Sequence, residues 1–314
     1  HVAGAHPQEV LMSTLFVRIL AVFILATSFA FAQNGRVAVM TPYLASATTR
    51  IMVDEVETAL QGLGYTVDVI DTAGDLAALD ARIQDVILQD VDAIVLSANP
   101  ELVPAAVEAA GAAGIPMFGL DAGSLQGLTV DVTSNNYAMA AQTATYLVDA
   151  IEGEGRVLML VHPPYAPVQK RGAIARAIFD NTPDIEVMDE VFIVVPGPLE
   201  NARNAVEAVL TANPEPGSIA GIWAAWDEPA LGALQAIESL GRGDEGIVIV
   251  GLDAIGPARE AIVDDGAFRA TVAQDFVGMA RTVAGVVDQA LQGDDVARRT
   301  IYVPATLLTR DDLR

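Results

Sequence analysis

The tetrapeptide Gly-Leu-Asp-Ala occurs twice, at residues 119–122 and 251–254, and each copy closes the same pattern. In the later copy, Ile219, Ile222 and Trp223 open an apolar run without alternation. Leu231, Leu234, Ile237 and Leu240 then form one apolar stripe at helical spacing, with Asp227 expected as N-cap, Pro229 in the first turn and Gly241 ending the helix. Residues 247–250 follow as a second, β-branched run. A run that is apolar at every position describes a strand covered on both faces, as in a parallel sheet. The pattern is therefore a βαβ unit. The earlier copy repeats it, with strand 93–97, helix 100–112, the turn Gly114-Ile115-Pro116 and strand 117–120. Two such units in two halves of one chain predict an α/β protein with two similar lobes. Each lobe presents an aspartate, Asp121 or Asp253, at the carboxyl end of a strand, which is where open parallel sheets bind ligands. Asp227 and Trp226 fall at the neighbouring strand end.

A length of 314 residues suits two domains. With 52% hydrophobic and 18% charged residues the chain can fill two cores, which argues against disorder. It has no cysteine, which excludes disulfides, thiolate catalysis, cysteine zinc sites and a cysteine-linked lipid anchor. A net charge of −24 argues against nucleic acid or an anionic membrane surface as partner, and reads as a solvated acidic surface. Residues 1–11 carry no usable pattern, and Met12 is the expected start. Arg18, the apolar run 19–31 and Ala30-Phe31-Ala32 predict a secretory leader cut after Ala32. The apolar core is shorter than the roughly 20 residues of a spanning helix.

The motifs point to binding. Residues 241–246 match the dinucleotide fingerprint letter by letter, but they follow a helix and precede a strand, the reverse of what that fingerprint needs. Beyond the leader His162 is the only histidine, so a histidine-based triad would have to use it, and no Gly-x-Ser-x-Gly elbow occurs. His162 reads as a loop histidine, with ligand contact as the other reading. Asp121 and Asp253 could act as an acid–base pair or simply accept hydrogen bonds from ligand hydroxyls. Nothing in the sequence demands chemistry, so no catalytic residue, cofactor or metal is assigned. Trp226, at a strand end, is expected to stack on an apolar ligand face, with a core indole as the alternative; Trp223 reads as core.

From about residue 36 to 306 the chain resembles the type I periplasmic solute-binding proteins, the ribose-binding-like group of bacterial ABC importers. The residues that carry the resemblance are 227–234 (Asp-Glu-Pro-Ala-Leu-Gly-Ala-Leu), 250–253 (Val-Gly-Leu-Asp), 270–274 (Ala-Thr-Val-Ala-Gln) and 114–116. It implies two Rossmann-like lobes with parallel sheets joined by a three-segment hinge: residues 33–134 with 275–302, and residues 135–274 with 303–314. It also implies a monomer that works with a membrane permease in the periplasm. Carried over by position, Asp121, Asp253 and Gln274 match the family's ligand contacts in type. Ser46, Thr48, Gln169, Arg171 and Trp226 stand at contact positions where the residue types depart. The family's Asn-Pro-Phe-Phe is Ser46-Ala47-Thr48-Thr49 here, its Asp-Arg is Asp121-Ala122, its Arg-x-Arg is Gln169-Lys170-Arg171, and its Asn is Trp226. Stacking aromatics are expected to be missing from the first lobe. The pocket is thus remodelled, and a bulkier or less hydroxylated ligand than ribose is expected. Lac-repressor-like regulators share the fold but need a DNA-binding segment where this chain has its leader. A signalling-receptor subunit, a binder of nucleosides and a secreted hydrolase are the other readings.

Overall fold

The computed structural model describes residues 34–314 apart from residue 265. The expected leader and its cleavage site lie outside these residues. The first lobe is laid down as β1 (Arg36–Thr41), α1 (Ala47–Gly62), β2 (Thr66–Asp71), α2 (Leu76–Ile87), β3 (Ala93–Leu96), α3 (Pro104–Ala113), β4 (Met117–Leu120) and β5 (Val130–Ser134). The chain then crosses to the second lobe. There it forms α4 (Asn136–Ala150), β6 (Glu154–Val161), α5 (Ala166–Asp180), β7 (Asp184–Phe192), α6 (Pro198–Ala212), β8 (Gly221–Ala224), α7 (Asp227–Ser239), β9 (Val248–Val250), α8 (Gly256–Val263) and β10 (Phe268–Gln274). It returns for α9 (Phe276–Leu291) and β11 (Arg299–Val303), and crosses a third time for β12 (Ala305–Thr309) and α10 (Arg310–Leu313).

The two sheets have the same plan. Their strand orders are β11-β5-β4-β3-β1-β2 and β12-β10-β9-β8-β6-β7. All neighbours are parallel except β12, which runs antiparallel to β10. The last two strands, β11 and β12, serve one sheet each, with only Pro304 between them. β1 shows why the strands are apolar throughout. Val37 and Val39 pack on one face with Met279 and Val283 of α9, while Ala38 and Met40 pack on the other with Leu79 and Ile83 of α2. In the second lobe Trp223 of β8 is fully buried, and its indole Nε1 donates to Thr143 Oγ1 at 3.0 Å.

Some helix starts differ from expectation for local reasons. The expected helix 100–112 is a short 3₁₀ turn (Pro100–Leu102) and then α3, because each of the two prolines, Pro100 and Pro104, opens its own turn. The N-cap of α7 is Trp226, in extended conformation, and Asp227 is the first helical residue. Residues 241–246 form a loop with a 3₁₀ turn (Gly243–Glu245), leading from helix to strand. Among the described residues no helix is long and apolar enough to cross a membrane.

Candidate functional site

The two Gly-Leu-Asp-Ala segments build the site from both sides by one device. Asp121 N–H donates to Val132 O and Asp253 N–H to Val272 O, each at 2.8 Å, so each aspartate ends its ladder at the equivalent place. The backbone then turns sharply: φ is +56° at Asp121, +118° at Asp253 and +53° at Ala254, a region that costs non-glycine residues on the order of 1–3 kcal/mol. A buried carboxylate holds each turn. Asp131 of β5 accepts from Ala122 N and Gly123 N, both at 3.0 Å. Asp227 accepts from Ile255 N at 3.0 Å and from Thr271 Oγ1 at 2.7 Å, and Thr271 Oγ1 in turn accepts from Ala254 N. Asp227 is thus fully buried beneath the turn rather than exposed at the strand end beside Asp253.

Between the lobes lies a small cavity. The first lobe contributes Tyr43, Ser46, Thr48, Thr49, Met52 and Asp121; the second contributes His162, Tyr165, Val168, Arg171, Trp226 and Asp253, with Val195 beside them. Arg171 is buried and anchored on three groups. Its Nε donates to Asn136 Oδ1 at 2.7 Å, and its Nη1 donates to Ala225 O at 2.9 Å and pairs with Asp253 Oδ1 at 3.5 Å. Asn136 Nδ2 donates to Thr133 Oγ1, whose hydroxyl donates to Asp121 Oδ1. One continuous network therefore links the two aspartates through the first crossing of the chain.

Several bonds span the cleft directly. The Tyr165 hydroxyl donates to Asp121, lying 2.7 Å from its carbonyl oxygen and 2.9 Å from Oδ2. Ser46 Oγ donates to Glu228 Oε2 at 2.8 Å, and Lys170 Nζ donates to Gly123 O. Burial dominates the electrostatics. It pushes the Asp121 carboxyl up, against the pull of Arg171, and pushes Asp253 up to about 7. The Asp131 carboxyl also rises to about 7, by burial and then by the charge of Asp121. Burial lowers the affinity of His162 for a second proton.

Six of the residues singled out from sequence stand on this cavity: Asp121, Asp253, Trp226, Arg171, Ser46 and Thr48. Gln274 stands behind it, donating Nε2 to Asp253 Oδ1 at 2.5 Å. Gln169 is exposed on α5, because Val168 and Arg171 share the helix face turned to the cavity and Gln169 points about 100° away from Val168. The expectation that the first lobe lacks an aromatic is corrected by Tyr43, whose ring centroid lies 5.2 Å from that of Tyr165 and 5.8 Å from that of His162. His162 lines the cavity rather than sitting as a plain loop residue. Among the described residues no group of three or more histidine, aspartate or glutamate side chains could hold a metal ion.

The family described as "Periplasmic binding protein domain" matches residues 37–295. The D-apiose import binding protein of Actinobacillus succinogenes is 28% identical over 269 residues, covering 84% of each chain. The ribose import binding protein of Bacillus subtilis is 28% identical over 250 residues, covering 79% of this chain and 78% of its own. Among solved structures, an ABC transporter solute binding protein from Agrobacterium vitis with bound allitol superposes with a TM-score of 0.84 at 28% identity, over 89% of this chain and 96% of its own.

Proposed function

Because this chain belongs to the periplasmic binding protein family, we propose that it is the substrate-binding component of an ABC importer, capturing a sugar or sugar-like small molecule between its lobes. The observation that carries this reading is the cavity at the carboxyl ends of two parallel sheets, with one aspartate from each lobe facing it. The import-binding relatives named for D-apiose and ribose, and the allitol-bound structure, support it. Asp121 and Asp253 accept hydroxyl protons, Arg171 and Ser46 add polar contacts, and Trp226 and Tyr43 cover the ligand's apolar face. Affinity comes from enclosure, with no covalent step. The lobes rotate about the three crossings, near residues 135, 275 and 304, to admit and release it. The protein works in the periplasm as a monomer, after loss of its leader, and delivers its ligand to a membrane permease.

Thermal unfolding against a panel of pentoses, hexoses, polyols and nucleosides tests this reading. A ligand at 100 times its dissociation constant adds about 2.7 kcal/mol, which raises the midpoint by several degrees. One carbohydrate subclass is expected to give that shift, and Asp253→Ala is expected to abolish it. A panel in which only nucleosides shift the midpoint would replace the carbohydrate assignment.

A further inference from the structure

The hydrogen-bonding groups of the cleft are unevenly matched. Several of its donors are engaged within the protein. The Tyr165 hydroxyl is on Asp121, the Trp226 indole N–H is 3.3 Å from Glu228 Oε2, Nε and Nη1 of Arg171 are on Asn136, Ala225 and Asp253, and the Gln274 amide is on Asp253. Acceptors are left over. His162 Nδ1 lies 2.9 Å from Ile193 O, and a carbonyl can only accept, so Nδ1 carries the proton and Nε2 keeps its lone pair. His162 is 93% buried, and Nε2 has no partner. The buried Gln274 Oε1 behind Asp253 also lacks one.

Charge is uneven in the same sense. Asp121 and Asp253 line the cavity with Arg171 as the cation that lines it with them, and Glu228 stands beside Trp226 and Ser46. Four rings form a continuous wall: Tyr165 to Tyr43 at 5.2 Å, Tyr43 to His162 at 5.8 Å, and His162 to Trp226 at 6.2 Å. The faces of such rings attract a desolvated cation.

We propose that the ligand carries an ammonium group, so that the cleft takes an amino sugar or amino polyol in preference to its neutral or acidic counterpart. This rests on the reading of the cleft as a solute site. An ammonium brings donors, no acceptor and a positive charge, and the site holds unpaired buried acceptors and more acidic than basic groups. Asp121, Asp253 and Glu228 are three acidic groups against the two cations Arg171 and Lys170, so an ammonium adds positive charge where acidic groups are in excess. A carboxylate or phosphate would add acceptors and negative charge beside two buried carboxylates.

Calorimetric titration of the protein with matched sets tests the proposal: glucose, glucosamine and glucuronate; galactose, galactosamine and galacturonate; ribitol, 1-amino-1-deoxyribitol and ribonate. In at least one set the amine is expected to bind roughly tenfold or more tightly than the neutral compound, and the acid to give no heat. Glu228→Gln is expected to shrink that preference, read as the ratio of amine to neutral affinity, severalfold; an unchanged ratio would count against the proposal. A neutral compound that binds as well as its amine in every set would overturn the ammonium proposal and leave sugar capture standing. An acid that binds best would also overturn it. Absence of binding across all sets would remove both readings.

Discussion

A Cβ added at Gly251 would overlap Asp227 Oδ1, and one added at Gly119 would overlap Asp131 Oδ1. These glycines make room for the two buried carboxylates that clamp the turns after Asp121 and Asp253, which explains why the repeated tetrapeptide begins with glycine. Gly251→Ala is therefore expected to destabilise the protein by about 1–3 kcal/mol in urea denaturation. Gly285, inside α9 with open space around it, is the control: Gly285→Ala is expected to stabilise by about 0.5–1 kcal/mol. The buried carboxyls of the site also set a pH dependence. Asp131 and Asp253, raised to about 7 by burial, hold their protons in the folded state where the unfolded chain, titrating near 3.8, has lost them. The folded state binds more protons between about pH 4 and 7, so stability falls as pH rises through that window and levels off above it. His162, lowered by burial, works in the opposite sense just below its ordinary value of 6.5 and tempers the slope without reversing it. The urea midpoint is expected to be lower at pH 8 than at pH 5; a higher one would contradict the assignment.

At the scale of elements, the site depends on what helix α1 and helix α5 do with their N-caps. They follow β1 and β6, the equivalent strands of the two sheets. Ser46 and Tyr165 are their N-cap residues, and neither makes a side-chain cap bond. Both side chains instead reach across the cleft, Ser46 to Glu228 and Tyr165 to Asp121. Tyr165→Phe removes a bond to a buried carboxylate worth about 1.5–3 kcal/mol, so it is expected to favour separated lobes. Small-angle scattering would register this as a larger radius of gyration than the parent's under the same conditions. An unchanged radius would mean that this bond does not hold the lobes. The two aspartates could be read from sequence because each ends a short, wholly apolar strand, a local signal. The aromatic wall was missed because Tyr43 and Tyr165 come from loops whose place is set by tertiary folding. A signal did exist: Thr41-Pro42-Tyr43 and His162-Pro163-Pro164-Tyr165 follow equivalent strands, and comparing the halves there, as at the tetrapeptide, would have found both loops. Asp227 was placed at the cleft because its spacing fits an N-cap; one residue further into the helix, its side chain turns beneath the site.

Across the whole molecule the polar network and the chain crossings share residues. Asp121 leads through Thr133 to Asn136, on either side of the first crossing, and on through Arg171 to Asp253 and Gln274, the residue that ends β10 at the second. Groups that line the cavity are thus bonded to groups at the chain crossings, which under the proposed function links occupancy of the cleft to lobe rotation. The third crossing has a different consequence, which concerns the order in which the chain is made. β11 and β12 form the outer edge of the two sheets, and both lie within residues 299–314. Neither lobe can finish its sheet until residues 299–309 have left the ribosome. Synthesis from the N-terminus therefore cannot deliver one completed lobe ahead of the other. The nascent chain stays short of its native structure until that one short segment emerges and completes both halves together.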